Sequence, residues 1–169
     1  MPQELYYQIF NTDAGWLGIL GSEAGLLRIT FPQRSSREVH LLLGDSVKAG
    51  VARPYCFESL VERLTAYYSG YKIDFPDSLD LSGATVFQRK VWGVTRLIPY
   101  GETRSYAWVA GQINQPGAAR AVGQALGKNP LPVVVPCHRV LAGSGELGGF
   151  TGGLDMKRFL LRLEKPGTG

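Results

Sequence analysis

The strongest constraint on the fold of this chain is a short apolar run that ends in proline, cysteine and histidine. Runs of β-branched residues favour a buried strand, and proline ends a strand ladder because it has no backbone N–H to donate. The valines of residues 133–135 therefore predict a core strand that stops at Pro136 and leaves Cys137 at its end. His138 follows directly, in a sequence with two cysteines and two histidines.

A thiol next to an imidazole has two interpretations. Thiolate is a strong nucleophile, and a nearby imidazole is the usual base that forms it. Alternatively, the cysteine is a small buried apolar side chain beside an unrelated histidine. Successive side chains on a strand point to opposite faces, so adjacency alone does not bring His138 against Cys137. The rest of the sequence has to decide between these interpretations.

The composition bounds the class of protein. The sequence is 44% hydrophobic and 19% charged, which excludes a disordered chain and suffices for one domain or two small ones. No stretch is long and apolar enough to span a bilayer, and the first residues lack the pattern of a signal peptide. Two distant cysteines do not make a disulfide framework, so we expect a cytoplasmic protein without a membrane partner.

The charge is unevenly distributed along the chain. Residues 1–83 carry seven Lys/Arg and ten Asp/Glu, whereas residues 84–142 carry seven Lys/Arg and one acid, Glu102. A basic segment beside an acidic one favours a polyanionic partner for the middle of the chain. A solvated surface with uneven charge is the alternative.

The first half of the chain predicts a β-meander followed by helices. Strands are expected at residues 5–10, 16–20 and 26–31, helices at 36–43 and 57–68, and a returning strand at 71–75. A boundary near residue 80 divides the chain into an α/β lobe of residues 1–80 and a second domain of residues 81–169.

The second half predicts several short helices. Thr85 and Gln88 form a capping box for a helix that ends before Pro99, and Ser105 caps a helix that runs to about Ile113. Residues 114–117 form a turn before a third helix at 118–126. Two helices joined by a four-residue turn match a helix-turn-helix, with an ordinary helical corner as the alternative. The segment 143–153 predicts a glycine-rich irregular loop, and a last helix ends near Glu164.

The helix at 118–126 separates apolar from polar residues. Its apolar side consists of Ala118, Val122, Ala125 and Leu126. Its other side consists of Arg120, Gly123, Gln124, Gly127 and Lys128. The second side has no carboxylate and little bulk, so it can approach a phosphate backbone closely.

Five motifs occur in the order and near the spacing of one known family. They are Ser105-Tyr106, Ala118-Ala119-Arg120-Ala121-Val122-Gly123, Gly127-Lys128-Asn129-Pro130, Pro136-Cys137-His138-Arg139-Val140 and Gly152-Gly153-Leu154. With these motifs the sequence resembles the O6-alkylguanine-DNA alkyltransferases, a family of suicide DNA-repair proteins. The resemblance covers residues 84–164 well and residues 1–83 loosely. It implies an α/β chain with a ribonuclease-H-like, β-rich N-terminal lobe and a helical, winged-helix-like C-terminal lobe that contains the helix-turn-helix.

The resemblance also implies an activity. An alkyl group would move irreversibly from O6-alkylguanine, and from O4-alkylthymine, in duplex DNA to Cys137 after the base has left the stack. The partner would be double-stranded DNA, bound in the minor groove without sequence preference by a monomer, and no cofactor would be needed. Some family members hold a structural zinc in the N-terminal half. Cys56 and His40 have no partners at metal-ligand spacing here, so we expect no metal.

The resemblance assigns catalytic roles to four residues. Cys137 would accept the alkyl group, His138 would act on it through a water, and Glu164 would orient the imidazole. Tyr106 would donate a proton toward the purine ring and help to turn the nucleotide backbone.

The resemblance assigns further positions to contacts with the DNA and with the flipped base. Arg120 would enter the stack in place of the flipped base, with Ser105, Ala119, Gly123, Gln124 and Lys128 also at the DNA. The pocket would involve Asn129 as a structural support, the Val140 carbonyl facing the guanine amino group, and the loop Phe150-Thr151-Gly152. The family often has Tyr-Ser where this chain has Phe150-Thr151, which leaves the substrate range open.

Three other functions remain as alternatives. A binder that recognises alkylated bases without reacting would need no thiol. A cysteine hydrolase would usually take its histidine from a distant position, here His40, and would need an oxyanion hole. A transcription regulator would use the helix-turn-helix, but the polar side of its second helix is short of base-reading side chains.

Overall fold

The computed structural model describes residues 4–52, 54–150 and 152–165. Thr151 lies outside the described residues. The chain divides into two compact units, Met1–Ser82 and Gly83–Gly169. None of the helices in the described part of the chain has the length and apolar character needed to cross a membrane.

The first unit is built on a four-stranded sheet. Strands β1 (Tyr6–Thr12), β2 (Gly15–Ser22) and β3 (Gly25–Ile29) form an antiparallel meander, which confirms the expected order of strands. The short strand β4 (Val51–Ala52) pairs in parallel with β1, so the sheet order is β3-β2-β1-β4.

Helices α1 (Ser36–Leu43), α2 (Asp45–Ala49) and α3 (Glu58–Tyr68) complete this unit. The Ser35 side chain caps α1, and Val39 and Leu43 of α1 pack against Leu20 of β2. The approach is close because β2 has a glycine there: a Cβ at Gly18 would lie 2.5 Å from a methyl carbon of Val39.

The expected strand at residues 71–75 is wrong. That segment has no strand partner, Tyr71 is 66% exposed, and its N–H still donates to the Ala66 carbonyl of α3. The chain joins the sheet only later, where Leu26 N–H donates to the Ser78 carbonyl and Asp80 N–H donates to the Leu26 carbonyl. The prediction therefore placed the return of the chain to the sheet a few residues too early.

The second unit is mainly helical. Its elements are α4 (Val86–Thr95), β5 (Arg104–Ser105), α5 (Tyr106–Gln112), α6 (Ala119–Gly127), β6 (Val140–Leu141) and α7 (Leu154–Leu163). The capping box of Thr85 with Gln88 is present, and the Ser105 hydroxyl accepts from Trp108 N–H at the start of α5. The Trp92 indole donates to the Ala125 carbonyl at 2.9 Å and so links α4 to α6.

The expected core strand at residues 133–135 is also wrong, although these valines are buried as predicted. Val133 has a left-handed φ of 74°, and Val135 N–H donates to the Leu131 carbonyl, so the segment forms a turn. Proline on both sides of the run removes the donors that a ladder needs. The residues Cys137–Arg139 that follow form a single 3-10 turn before β6.

Candidate active site

Two short parallel strands bring the thiol next to α5. Strand β5 pairs Arg104 with Val140 and Ser105 with Leu141 of β6. Tyr106 starts α5 directly after β5, and the Cys137–Arg139 turn directly precedes β6. The motifs around residues 105 and 137 are therefore neighbours in space, as their joint assignment to one site requires.

The Cys137 side chain is nearly buried, with 7% of the residue exposed. Burial raises the pKa of its thiol to about 11, so it is protonated at neutral pH. Several groups oppose this shift because they stabilise the thiolate: a hydrogen bond from the Asn129 side chain, the charge of Lys157, and the backbone N–H groups of Cys137 and His138. Burial thus disfavours the thiolate in the resting protein, whereas these hydrogen bonds and the charge of Lys157 stabilise the thiolate when it forms.

The imidazole of His138 is fully buried against a carboxylate. Its Nε2 lies 2.6 Å from Oε2 of Glu164, which ends α7 and is itself 3% exposed. Burial lowers the pKa of His138, so the ring is neutral at physiological pH. When the carboxylate is ionised, the proton belongs on Nε2 and the lone pair on Nδ1. This tautomer can accept one further proton.

Arg139 holds the same carboxylate from a second direction. Its Nε donates to Oε1 of Glu164 at 2.8 Å, its Nη2 to Oε2 at 3.0 Å, and its Nη1 to the Ile98 carbonyl at 2.7 Å. Burial by itself would raise the pKa of Glu164, but the hydrogen bonds and charges of His138 and Arg139 outweigh it and hold this pKa well below its usual range. Glu164 is therefore a buried, ionised group and not an exposed charge at a helix end.

Lys157 is a second buried cation of the site. Its Nζ donates to the carbonyls of Val140 at 2.8 Å, Gly149 at 3.3 Å and Leu147. The Val140 carbonyl, which the resemblance directs at guanine, thus already accepts one hydrogen bond from Lys157. A carbonyl oxygen has a second lone pair, so it can still accept a hydrogen bond from guanine, and that role stays a prediction.

Sequence reasoning did not select Arg139 or Lys157. Arg139 is paired with the carboxylate of Glu164, 25 residues away in the chain, and no local spacing in the sequence predicts that contact. For Lys157 a signal was available: it lies three residues before Leu160 and seven before Glu164, on one face of α7, and all three are buried. A lysine in line with buried positions indicates a partnered internal charge.

A cavity of about 400 Å³ opens beside the thiol. Its walls come from α5, α6, the turn and the glycine-rich loop, and its lining is Tyr106, Ala119, Arg120, Gly123, Gln124, Leu126, Gly127, Cys137, Gly149 and Phe150. Among the described residues, Ser105, Lys128, Asn129, Val140 and Gly152 do not line it. The structure thus brings the expected DNA-binding side of α6, including the exposed Arg120 and Gln124, to the same opening as the thiol.

Asn129 and Ser105 support the walls instead. The Asn129 side chain donates to the Val135 carbonyl at 2.9 Å and accepts from Leu131 N–H at 2.9 Å. It therefore ties the end of α6 to the segment that leads into Cys137.

The phenol of Tyr106 is seated on the glycine-rich loop. Its hydroxyl donates to the Gly149 carbonyl at 3.4 Å. Gly148 has a φ of 66°, and a Cβ there would lie 2.6 Å from that hydroxyl oxygen, so glycine is required on two grounds. Burial, followed by the proximity of Cys137, raises the pKa of Tyr106, and the phenol stays a proton donor.

Comparisons with known proteins agree on one family. Residues 86–166 match the family model of the 6-O-methylguanine DNA methyltransferase DNA-binding domain. A methylated-DNA–protein-cysteine methyltransferase of Mycolicibacterium paratuberculosis is 55% identical over 94% of this chain and 92% of its own length. One of Methanosarcina acetivorans is 39% identical over 95% of this chain and 98% of its own.

Solved structures extend the likeness to the fold. The structure of Mycobacterium tuberculosis OGT in complex with DNA matches with a TM-score of 0.79 and 41% identity, over 95% of this chain and 92% of that one. The O6-methylguanine-DNA methyltransferase of Pyrococcus kodakaraensis matches with a TM-score of 0.67 and 27% identity, over 95% and 98%. These matches confirm the α/β fold with two lobes.

Proposed function

The chain belongs to the methylated-DNA–protein-cysteine methyltransferase family, whose members repair DNA by alkyl transfer to a cysteine, and from this membership we propose that Cys137 is the acceptor for the alkyl group of O6-alkylguanine in duplex DNA. The observation that carries the proposal is the position of Cys137. Its thiol lies in a cavity shared with α6 and is followed directly by an imidazole that a buried carboxylate holds. This arrangement suits attack by sulfur on carbon.

The proton of the thiol goes to His138. Nδ1 of the neutral imidazole accepts it, through one water as the resemblance implies, and Glu164 stabilises the imidazolium that results. The S–C bond to the alkyl carbon forms as the C–O6 bond breaks, and the electron pair of that bond stays on the purine. Tyr106 supplies the proton that lets guanine leave neutral, and its raised pKa keeps that proton available at physiological pH.

DNA approaches the polar side of α6. Arg120 and Gln124 of this side line the cavity, and Lys128 is exposed at the end of the helix. We assign α5 and α6 to a helix-turn-helix that enters the minor groove without sequence preference, since small residues let the helix come close and no set of base-reading side chains accompanies Arg120. Arg120 fills the space of the flipped base, because its planar cation can stack where the base was.

The product is a thioether, and nothing in this chemistry regenerates the thiol. Each molecule therefore acts once. That it acts as a monomer and without a cofactor is what the resemblance implies. A protein that depends on a reduced thiol suits the cytoplasm. The pocket is expected to accept O4-alkylthymine as well. The resemblance assigns its walls to Phe150, Thr151, Gly152 and the Val140 carbonyl, and of these Phe150 lines the cavity.

The hydrolase alternative is weaker. It would need His40, which is exposed on α1 in the first unit, whereas His138 is buried and held by Glu164.

The test of the proposed function is a mass measurement. The protein is mixed with a duplex that contains a single O6-methylguanine, and its intact and peptide masses are recorded. One added methyl group on the peptide that contains Cys137, with no second turnover in excess DNA, is expected. An unmodified protein that still binds the damaged duplex preferentially would favour the non-reacting binder, and an unmodified protein without that preference would refute the assignment.

Replacing Arg120 by alanine tests the flipping role. The rate of methyl transfer from duplex DNA is expected to fall about 100-fold, corresponding to a few kcal/mol of unstacking energy that is no longer offset. Transfer from the same strand without its complement is expected to fall much less, since its bases need little unstacking. Lys128→Ala is the matched control, because it removes a cation of the same helix face; equal losses on duplex and single strand in R120A would show a phosphate contact only.

A further inference from the structure

We propose that Lys157 is a positioning residue for the transfer: its ammonium fastens the loop wall of the cavity to β6 and sets a positive charge beside the reacting sulfur. The loop wall is residues 147–150. This inference rests on the proposed function of Cys137 and adds a residue that the Cys-His-Glu arrangement does not include.

The hydrogen bonds of Lys157 join two separate segments. Its three acceptors are the Val140 carbonyl in β6 and the Leu147 and Gly149 carbonyls in the loop wall. An ammonium group has three donors and no acceptor, so these contacts use its full capacity. One side chain therefore attaches the loop wall of the cavity to β6, the strand that follows the Cys137 turn.

The same ammonium also faces the aromatic walls. Nζ lies 5.8 Å from the ring centre of Tyr106 and 5.7 Å from that of Phe150, both within cation–π range. The Tyr106 hydroxyl rests on Gly148 and Gly149 of the loop wall. Loss of the ammonium would therefore loosen both rings that the base would contact.

The charge of Lys157 acts on the sulfur. It lowers the pKa of the Cys137 thiol, and the proximity of Cys137 in turn raises that of Lys157. The other ionisable groups of the site are His138, Tyr106, and Glu164 with its partner Arg139. Glu164 is already paired with Arg139 and His138. The charge of Lys157 therefore favours the thiolate of Cys137, and it also lowers the pKa of His138 and so keeps the resting imidazole neutral.

A purely structural role predicts something different. Methionine would fill a similar space but would leave the Val140, Leu147 and Gly149 carbonyls without their donor, so Lys157→Met lowers stability under either interpretation. The pH dependence of Cys137 alkylation separates the two interpretations, because a purely structural lysine would leave it unchanged.

The experiment compares K157M, K157Q and K157R with wild type. Lys72→Met is the matched control, because Lys72 is an exposed lysine of the first unit and its replacement removes one positive charge from the chain. Three quantities are measured: the single-turnover rate of methyl transfer, the affinity for duplex DNA, and the pH dependence of Cys137 alkylation by iodoacetamide, which involves no DNA.

K157M and K157Q are expected to transfer methyl about 100-fold more slowly, the size of effect seen when one preorganised electrostatic group is removed. Their DNA affinity is expected to stay within about 2-fold, because a buried cation makes no phosphate contact. Alkylation of Cys137 should require a higher pH in both, and K157R should restore the wild-type pH dependence of this alkylation. The control K72M should behave as wild type in the transfer and alkylation measurements.

The wild-type protein provides a check that needs no variant. Burial lowers the pKa of Lys157 to about 8, so the transfer rate per thiolate should decline above that pH and not below it. A K157M protein with wild-type rate and alkylation profile, or a wild-type rate per thiolate that does not decline up to pH 10, would overturn the proposal. If wild type itself transfers no methyl group, the proposed function fails instead. The pH profiles of alkylation then still show whether the charge of Lys157 lowers the pKa of the Cys137 thiol.

Discussion

Replacing Cys137 by serine is expected to abolish methyl transfer, with a loss on the order of 10⁶-fold, as when the nucleophile is removed from other enzymes. The hydroxyl has a far higher pKa than a thiol and attacks carbon poorly, and a neutral imidazole cannot compensate for that. Peptide mass spectrometry after incubation with methylated duplex provides the measurement. The variant should still bind DNA, because the side chains exposed on α6 are unchanged.

The second cysteine provides the control for this experiment. Cys56 is a free, exposed thiol in the first unit, and Cys56→Ser should transfer methyl at the wild-type rate. Methyl groups that appear on the Cys56 peptide of the C137S protein would mean that exposure, and not the environment of Cys137, determines which thiol reacts.

Replacing Glu164 by glutamine is expected to cost about 3–5 kcal/mol of unfolding free energy, the range for removing one partner of a buried ion pair. Arg139 would remain buried without its counter-charge, and His138 would lose the group that fixes its tautomer. Urea denaturation measures the first effect, and the single-turnover rate, expected to fall about 100-fold or more, measures the second. Glu102→Gln is the control, since Glu102 and Arg104 form an exposed pair that should contribute less than about 1 kcal/mol.

The same carboxylate makes stability depend on pH. Because the folded protein holds the pKa of Glu164 well below that of an unfolded glutamate, the folded form binds its proton less readily. The stabilisation is therefore present above the unfolded pKa, about 4.3, and is lost as the pH falls towards the lower folded value. Wild type should lose stability over that acidic range, whereas E164Q should show a flatter profile. Parallel profiles of the two proteins would contradict the pairing.

Much of this fold was readable from local chemistry. The N-terminal meander, the helix at residues 36–43 and the caps at Thr85 and Ser105 depend on turn residues and short-range hydrogen bonds, which a sequence displays directly. The two failures, at residues 71–75 and 133–135, have another origin. Strand formation needs a partner at the right register. Pro132 and Pro136 have no backbone N–H to donate, and Val135 N–H bonds within the turn, so the valines are buried without forming a strand.

The candidate site divides in the same way. Cys137, His138, Tyr106 and Arg120 stand in motifs that the resemblance supplies, and the structure brings Cys137, Tyr106 and Arg120 to one cavity. The partners of Arg139 and Lys157 could not be assigned from spacing, because they are a carboxylate and carbonyls distant in the chain. Helical periodicity does place Lys157 on the buried face of α7, but it does not identify the carbonyls that its ammonium binds.

The high pKa of the buried Cys137 thiol has a consequence for the lifetime of the unreacted protein. Peroxides and soluble electrophiles consume cysteines as thiolates, so a largely buried thiol that is protonated at neutral pH reacts with them slowly. Under the single-use chemistry proposed above, one stray oxidation of Cys137 would inactivate the molecule, so a thiol that is unreactive at rest would prolong its lifetime. We expect Cys137 to become reactive only when a base occupies the cavity, so that the unreacted protein survives until it meets its substrate.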